Sequence, residues 1–173
     1  MSFCQVPFPE VRPDFVRSLQ EDWMLLSAGT AEDLGTMTVS WGLTGFIWGT
    51  DTIMVMVRES RNTLRYLLEQ PYFSLCSFPP EFHDKLYYCG RHSGRDVNKV
   101  QVCGFSPAEE LGAPYFKEAS TVYICRKLYS GTIDPACFSD RELFHTWYET
   151  GVHAGDNHRF FVGQVARVLK NNG

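Results

Sequence analysis

Within six residues, Arg58-Glu59-Ser60-Arg61-Asn62-Thr63 gathers two guanidiniums, two hydroxyls and a carboxamide. The apolar run Ile53-Met54-Val55-Met56-Val57 leads into this segment, and the helical spacing of Leu64, Leu67 and Leu68 leads out of it. Such a layout suits a phosphate. Guanidiniums offer forked donors that match its oxygens, short side chains let the backbone come close, and the first N–H groups of a helix have no partner inside the helix. The same residues also describe a solvated turn with an ordinary helix cap. Neighbouring chemistry has to choose between the two readings.

Two further polar clusters stand at expected strand ends or loops, where scaffolds display functional groups. In Gly35-Thr36-Met37-Thr38-Val39-Ser40-Trp41-Gly42, strand alternation puts Thr36, Thr38 and Ser40 on one face and Met37, Val39 and Trp41 on the other. That row of hydroxyls fits either a solvent-facing sheet or the polar edge of a cofactor. Cys89-Gly90-Arg91-His92-Ser93-Gly94-Arg95-Asp96-Val97-Asn98-Lys99 is a dense polar loop entering a short helix, and it fits a surface excursion as well as a ligand lid. His158 precedes a strand-like run and can donate to an anionic group or stay neutral near pH 7.

Other chemistries are disfavoured by what the chain lacks. There is no Walker loop, no Gly-x-Gly-x-x-Gly after a strand and no Gly-x-Ser-x-Gly elbow. Cys89, His92, His153 and His158 lack the paired spacing of a zinc site, so no metal is expected.

The elements that must position these groups are mostly strands. Runs rich in β-branched and aromatic residues predict strands over 23–28, 36–41, 53–57, 72–78, 121–129 and 160–169. Helices are expected over 62–70, 82–89, 96–103 and 141–148, with Trp147 and Tyr148 serving as contact surface, cap over the site or core. Glycine and polar residues at Gly42-Leu43-Thr44-Gly45 and Trp48-Gly49-Thr50-Asp51 read as a loop joining the second and third strands. Few strands are separated by full crossover helices, which argues for a mainly β barrel decorated by helices rather than a doubly wound parallel sheet.

The 173 residues suit a single domain spanning 1–173. A net charge of −4 argues against nucleic acid as a partner, because non-specific affinity for polyphosphate comes from excess Lys and Arg. Aromatic residues at 14% fit packed cores, planar ligands or subunit interfaces alike. The amino-terminal stretch lacks a basic region followed by an apolar core, and no run approaches the roughly 20 apolar residues of a membrane span. A cytoplasmic protein without membrane contact is expected. Its six scattered cysteines, with no Cys-x-x-Cys, then read as reduced thiols.

In order along the chain, the Thr36–Gly42, Arg58–Thr63 and His92–Lys99 clusters, followed by His158-x-x-x-x-Gly163-Gln164-Val165, resemble the flavin reductase-like family of FMN-binding split barrels. Flavoredoxin-like members are the nearest in pattern, and the resemblance runs over 23–169. It implies an FMN-binding split-barrel fold and a homodimer. It also implies that Arg58, Ser60, Arg61, Asn62 and Thr63 hold the FMN phosphate. Met37, Thr38, Val39, Ser40 and Trp41 would border the flavin ring, Ser93, Gly94, Arg95 and Lys99 would close over it, and His158 would face the ring or an incoming nicotinamide as the catalytic residue. The implied reaction passes hydride from NADH or NADPH through FMN to a second acceptor, whose identity is unknown. Two alternatives are flavin that leaves reduced as a substrate, and an electron-transfer module without direct nicotinamide activity.

Overall fold

The computed structural model describes residues 2–11 and 15–172. In chain order the elements are β1 (Phe3–Gln5), α1 (Phe8–Val11), α2 (Phe15–Arg17), β2 (Met24–Gly29), β3 (Leu34–Val39), β4 (Gly42–Ile47), β5 (Thr50–Arg58), α3 (Thr63–Glu69), β6 (Tyr72–Ser77), α4 (His83–Arg91), α5 (Lys99–Cys103), β7 (Pro107–Glu110), β8 (Ala113–Phe116), β9 (Thr121–Thr132), α6 (Arg141–Phe144) and β10 (His158–Asn171). The expected domain limits, residues 1 and 173, lie outside the described residues. Among the described residues, no helix is long and apolar enough to cross a membrane.

The main sheet is antiparallel throughout and runs β3-β2-β6-β9-β10-β5-β4, with β1 added on β10. Its two outermost strands, β3 and β4, are joined by Ser40 and Trp41 alone. Three Cα steps reach at most about 11 Å, so the sheet must curl until its edges meet. The Met56 N–H donates to the Trp41 carbonyl at 3.2 Å, carrying the β4–β5 pairing one residue into that connection. A mainly β split barrel is the result, as the sequence pattern implies.

Curling separates two cores. Met24, Leu26, Met37, Val39, Ile53, Val55, Val57, Phe73, Leu75 and Phe161 fill the barrel. Leu25, Cys76, Val122 and Ile124 face outward and are covered by Leu86 and Cys89 of α4, Cys103 of α5 and Phe116 of β8. Gly163 permits the inner packing, because a Cβ there would lie 2.6 Å from the Phe73 ring. The expected alternation of β3 holds: Met37 and Val39 point into the barrel, while the Thr38 hydroxyl donates outward to the Leu86 carbonyl of α4.

Several boundaries differ from expectation for local reasons. Residues 42–47 form β4 rather than a loop, and Trp48 and Gly49, both at positive φ (53° and 74°), make the tight turn into β5. The helix expected from 96 starts at Lys99 because Asn98 is its cap, accepting the Gln101 N–H at 3.1 Å. The helix expected over 141–148 is α-helical only through Phe144 and then widens into a π-turn over His145–Glu149. Small strands β7 and β8 pair as a hairpin that the sequence pattern did not signal.

Candidate functional site

Two adjoining hollows lie at the barrel seam. The first, about 190 Å³, is lined by Met37, Thr38, Val39, Ser40 and Trp41 on one side and by Met56, Arg58, His153 and His158 on the other. The second, about 150 Å³, is lined by Ser60, Asn62 and Thr63 opposite Ser93, Gly94, Arg95 and Lys99. Met37 and Arg61 line both. Each hollow is smaller than the roughly 300 Å³ at which small-molecule pockets usually begin, so a ligand of ordinary cofactor size must extend beyond either one.

The first hollow is aromatic and cationic. His158 opens β10 opposite Arg58, the last residue of β5, so strand pairing fixes both. The His158 ring stacks on Trp41 with centroids 4.9 Å apart, and its Nδ1 is 3.0 Å from the Tyr148 hydroxyl. Burial, and then the neighbouring Arg58 guanidinium, push the His158 pKa down to about 4. This imidazole is therefore neutral near pH 7. Arg58 lies over the Trp41 and Tyr148 rings, its Cζ 5.8 Å from each centroid, and donates to the Asp156 carbonyl at 2.7 Å. Trp147 meets Trp41 edge-on at 4.9 Å, so the π-turn after α6 packs against the Trp41 wall of the hollow.

The second hollow is basic and braced by backbone oxygens. Arg61 donates to the Gly90 carbonyl at 2.7 Å, and Arg95 donates to the Ser60 carbonyl at 3.0 Å. Lys99 is 5% exposed, and its Nζ donates to the carbonyls of Thr36 at 2.9 Å and Cys89 at 2.8 Å. Burial lowers its pKa to about 8, with the neighbouring Arg61 acting in the same direction. Burial likewise lowers the Arg61 pKa, against the pull of Asp156. Among the described residues, the Asp156 carboxylate is the one acidic group bonded into this loop: it accepts from the Ser60 N–H at 2.9 Å and from the Ser60 hydroxyl at 2.6 Å.

The residues to which the resemblance gave a cofactor role therefore border one hollow or the other, whereas Thr36, the first hydroxyl of the row on β3, is buried against Ser27 and lines neither. The six-residue segment is nevertheless split, because Arg58 faces the aromatic hollow while Ser60, Asn62 and Thr63 face the basic one. Asn62 makes no side-chain cap bond to α3, so the ordinary-cap reading of this turn does not hold. Sequence reasoning missed Asp156, Met56 and His153, and left Tyr148 unassigned. Asp156 carries no motif of its own; its position two residues before His158 was the available signal.

A larger hollow, about 410 Å³, adjoins the basic one through Asn62, Gly94, Arg95 and Lys99; it adds Tyr66 and Arg65, but also the carboxylates of Glu32, Asp33 and Asp96. Another, about 570 Å³, lies apart beside Trp48 and Tyr129 and is lined by a single cation, Arg126. Among the described residues, no group of three or more His, Cys, Asp or Glu could hold a metal ion.

Residues 16–173 match the flavin reductase like domain. The chain belongs to the flavin reductase-like family. No curated protein is significantly similar to this flavin reductase-like chain. Among solved structures it is similar to flavoredoxin from Methanosarcina acetivorans, with 22% identity and a TM-score of 0.66 over 87% of this chain and 69% of that one. It is also similar to an FMN-binding protein from Thermus thermophilus, with 23% identity and a TM-score of 0.67 over 98% of this chain and 79% of the other. A third match is the styrene monooxygenase flavin reductase of Pseudomonas putida S12, at 15% identity and a TM-score of 0.62 over 92% and 88% of the two chains. At these identities the matches establish the shared split-barrel fold.

Proposed function

We propose that this single-domain protein binds FMN across the two hollows and passes hydride from NADH or NADPH to a second acceptor. The observation that carries the reading is the continuity, through Met37 and Arg61, of an aromatic hollow with a basic one. A flavin mononucleotide has the same two-part character, a flat ring and a phosphate. Family membership supports the reading, as do the FMN-binding protein of T. thermophilus and the flavin reductase of P. putida among the structural matches.

The residues present fit such a group. The Ser60 N–H and hydroxyl have the paired donor geometry that an anionic oxygen needs, although a phosphate must share them with the Asp156 carboxylate. Arg61, Arg95 and Lys99 supply cationic donors for a phosphate, and Asn62 and Thr63 complete the cradle. Gly94 keeps it open, because a Cβ there would come within 3.1 Å of the Asn62 Nδ2. When bound, FMN supplies the capacity to accept a hydride and pass its electrons on. Met37–Trp41 border the ring side, and Trp147 braces the Trp41 ring from behind. His158 is a neutral ring held by Tyr148 and Trp41, suited to donating a hydrogen bond without adding charge, while Arg58 and Arg61 keep the hollow favourable to negative charge.

A homodimer in the cytoplasm completes the proposal. The edge strand β4 and its turn expose Leu43, Phe46 and Trp48, which a second copy would cover; sedimentation velocity checks this. The central experiment is an anaerobic spectrum of the FMN-titrated protein before and after NADH and NADPH. Flavin bands that shift on titration and bleach with either nucleotide are the expected result. Absence of FMN binding overturns the proposal, and bound FMN that neither nucleotide bleaches makes the protein an electron-transfer module instead.

A further inference from the structure

We propose that Cys89 and Cys103 form a reversible dithiol–disulfide site, oxidised by a peroxide, whose closure stiffens the wall of the basic hollow. Their Sγ atoms are 3.8 Å apart, the only hydrogen-bond-range contact between two cysteine sulfurs among the described residues. Cys89 lies near the end of α4 and Cys103 ends α5, so the pair bridges two helices across the connection 92–98. A disulfide needs an S–S distance of about 2.05 Å, which side-chain rotation and a small helix shift can supply. Cys76 and Cys125 are fully buried in strands and face different cores, so they offer no second pair of thiols.

The location gives the pair a consequence. Lys99 and Arg61, two cations of the basic hollow, are anchored on the carbonyls of Cys89 and Gly90. Ser93, Gly94 and Arg95 belong to the connection that the bond would close. Fixing α4 to α5 therefore restrains one whole side of the hollow.

Cys103, the less buried of the two at 6% exposure, attacks a peroxide oxygen; the O–O bond breaks, its sulfur becomes a sulfenic acid and one water leaves. The Cys89 sulfur then attacks that of Cys103, the S–O bond breaks and a second water leaves. The two electrons lost by the sulfurs reduce the peroxide, and both thiol protons end in water. Burial pushes the Cys89 thiol up to about 12, so its proton needs a nearby base. Lys99 supplies one, since its buried amine, near 8, is partly neutral close to physiological pH and interacts electrostatically with both thiols.

The inference stands independently of flavin binding and is tested without it. The folded protein is treated with hydrogen peroxide, alkylated after denaturation and digested for mass spectrometry. A Cys89–Cys103 cross-linked peptide lacking two hydrogens is expected, with Cys76 and Cys125 still alkylated and dithiothreitol reversing the loss. Hydrogen exchange of the amides over 92–98 should slow about threefold or more on oxidation. The comparison uses one chain in two redox states, so it does not depend on a variant folding, and Cys103→Ala should abolish both signals. Recovery of 89 and 103 as thiols, or of Cys103 as a sulfinic acid without a cross-link, overturns the site. A cross-link that leaves exchange unchanged overturns the stiffening.

Discussion

Asp156 grips Ser60 with both carboxylate oxygens, accepting from its N–H at 2.9 Å and from its hydroxyl at 2.6 Å. The loop that the proposed phosphate needs therefore already carries a negative charge. A dianion arriving beside it is repelled, and Ser60 is less available than its place in the six-residue segment suggests. Asp156→Asn keeps an acceptor for Ser60 while removing the charge, so FMN should bind about fivefold more tightly, a gain of roughly 1 kcal/mol at a partly exposed site. Flavin fluorescence titration at low and high salt measures it, and the gain should shrink as salt rises. Unchanged or weaker binding would place the phosphate away from Ser60.

Arg61 lines both hollows and is held by the Gly90 carbonyl at 2.7 Å. Arg61→Ala removes a charge-assisted donor, for which roughly 1.5–3 kcal/mol is the usual magnitude. FMN affinity should fall about 10- to 100-fold in the same titration. Asn62→Ala combined with Thr63→Ala should weaken binding in the same direction while leaving the preferred acceptor unchanged, because these side chains border only the basic hollow. A shift in acceptor preference at constant affinity would show that this segment has been given the wrong role.

Gly35 is where α3 meets β3. A Cβ at this position would fall 2.9 Å from the Thr63 Cα and closer still to the Tyr66 ring, and backbone cannot move aside as a flexible side chain can. Gly35→Ala should destabilise the protein by roughly 2–3 kcal/mol, the upper part of the usual cost of overpacking. Urea denaturation measures this, and FMN affinity should fall with it, since Thr63 opens α3 beside the basic hollow. A variant as stable as the parent would mean that the helix can ride outward freely.

The fold was legible where strands are long and apolar. Residues 53–57 and 121–129 lie inside β5 and β9, and the order of four polar clusters was enough to indicate the barrel. β4 was not legible, because two glycines and exposed side chains on an edge strand look like a turn until its pairing with β5 is known. The residues of the candidate site could be picked out because their short polar side chains cluster at strand ends, where scaffolds display functional groups. Their grouping was not: strand pairing sets Arg58 beside His158, sequence neighbours of Arg58 go to the other hollow, and Asp156 reaches Ser60 across 96 positions. Long-range pairing of that kind leaves no periodicity to read.

His158 ties stability to pH in a direction that follows from its surroundings. Burial and the guanidiniums of Arg58 and Arg61 disfavour its protonation, His153 adds to them, and Asp156 opposes. The folded value of about 4 lies below the ordinary 6.5, so between these pH values the unfolded chain binds a proton that the folded chain refuses. Stability is thus unaffected by this group above about pH 6.5 and falls as the solution is acidified toward pH 4, by roughly 3 kcal/mol in all. In His158→Gln that loss disappears, although the variant gives up the Trp41 stack and alters the Tyr148 contact. Urea denaturation at pH 7.5 and pH 4.5 should therefore find the variant's deficit at neutral pH reduced by about 2 kcal/mol or more in acid. Parallel loss of stability by both proteins would mean that His158 accepts its proton as readily folded as unfolded, and the neutral ring assigned to the aromatic hollow would have to be given up.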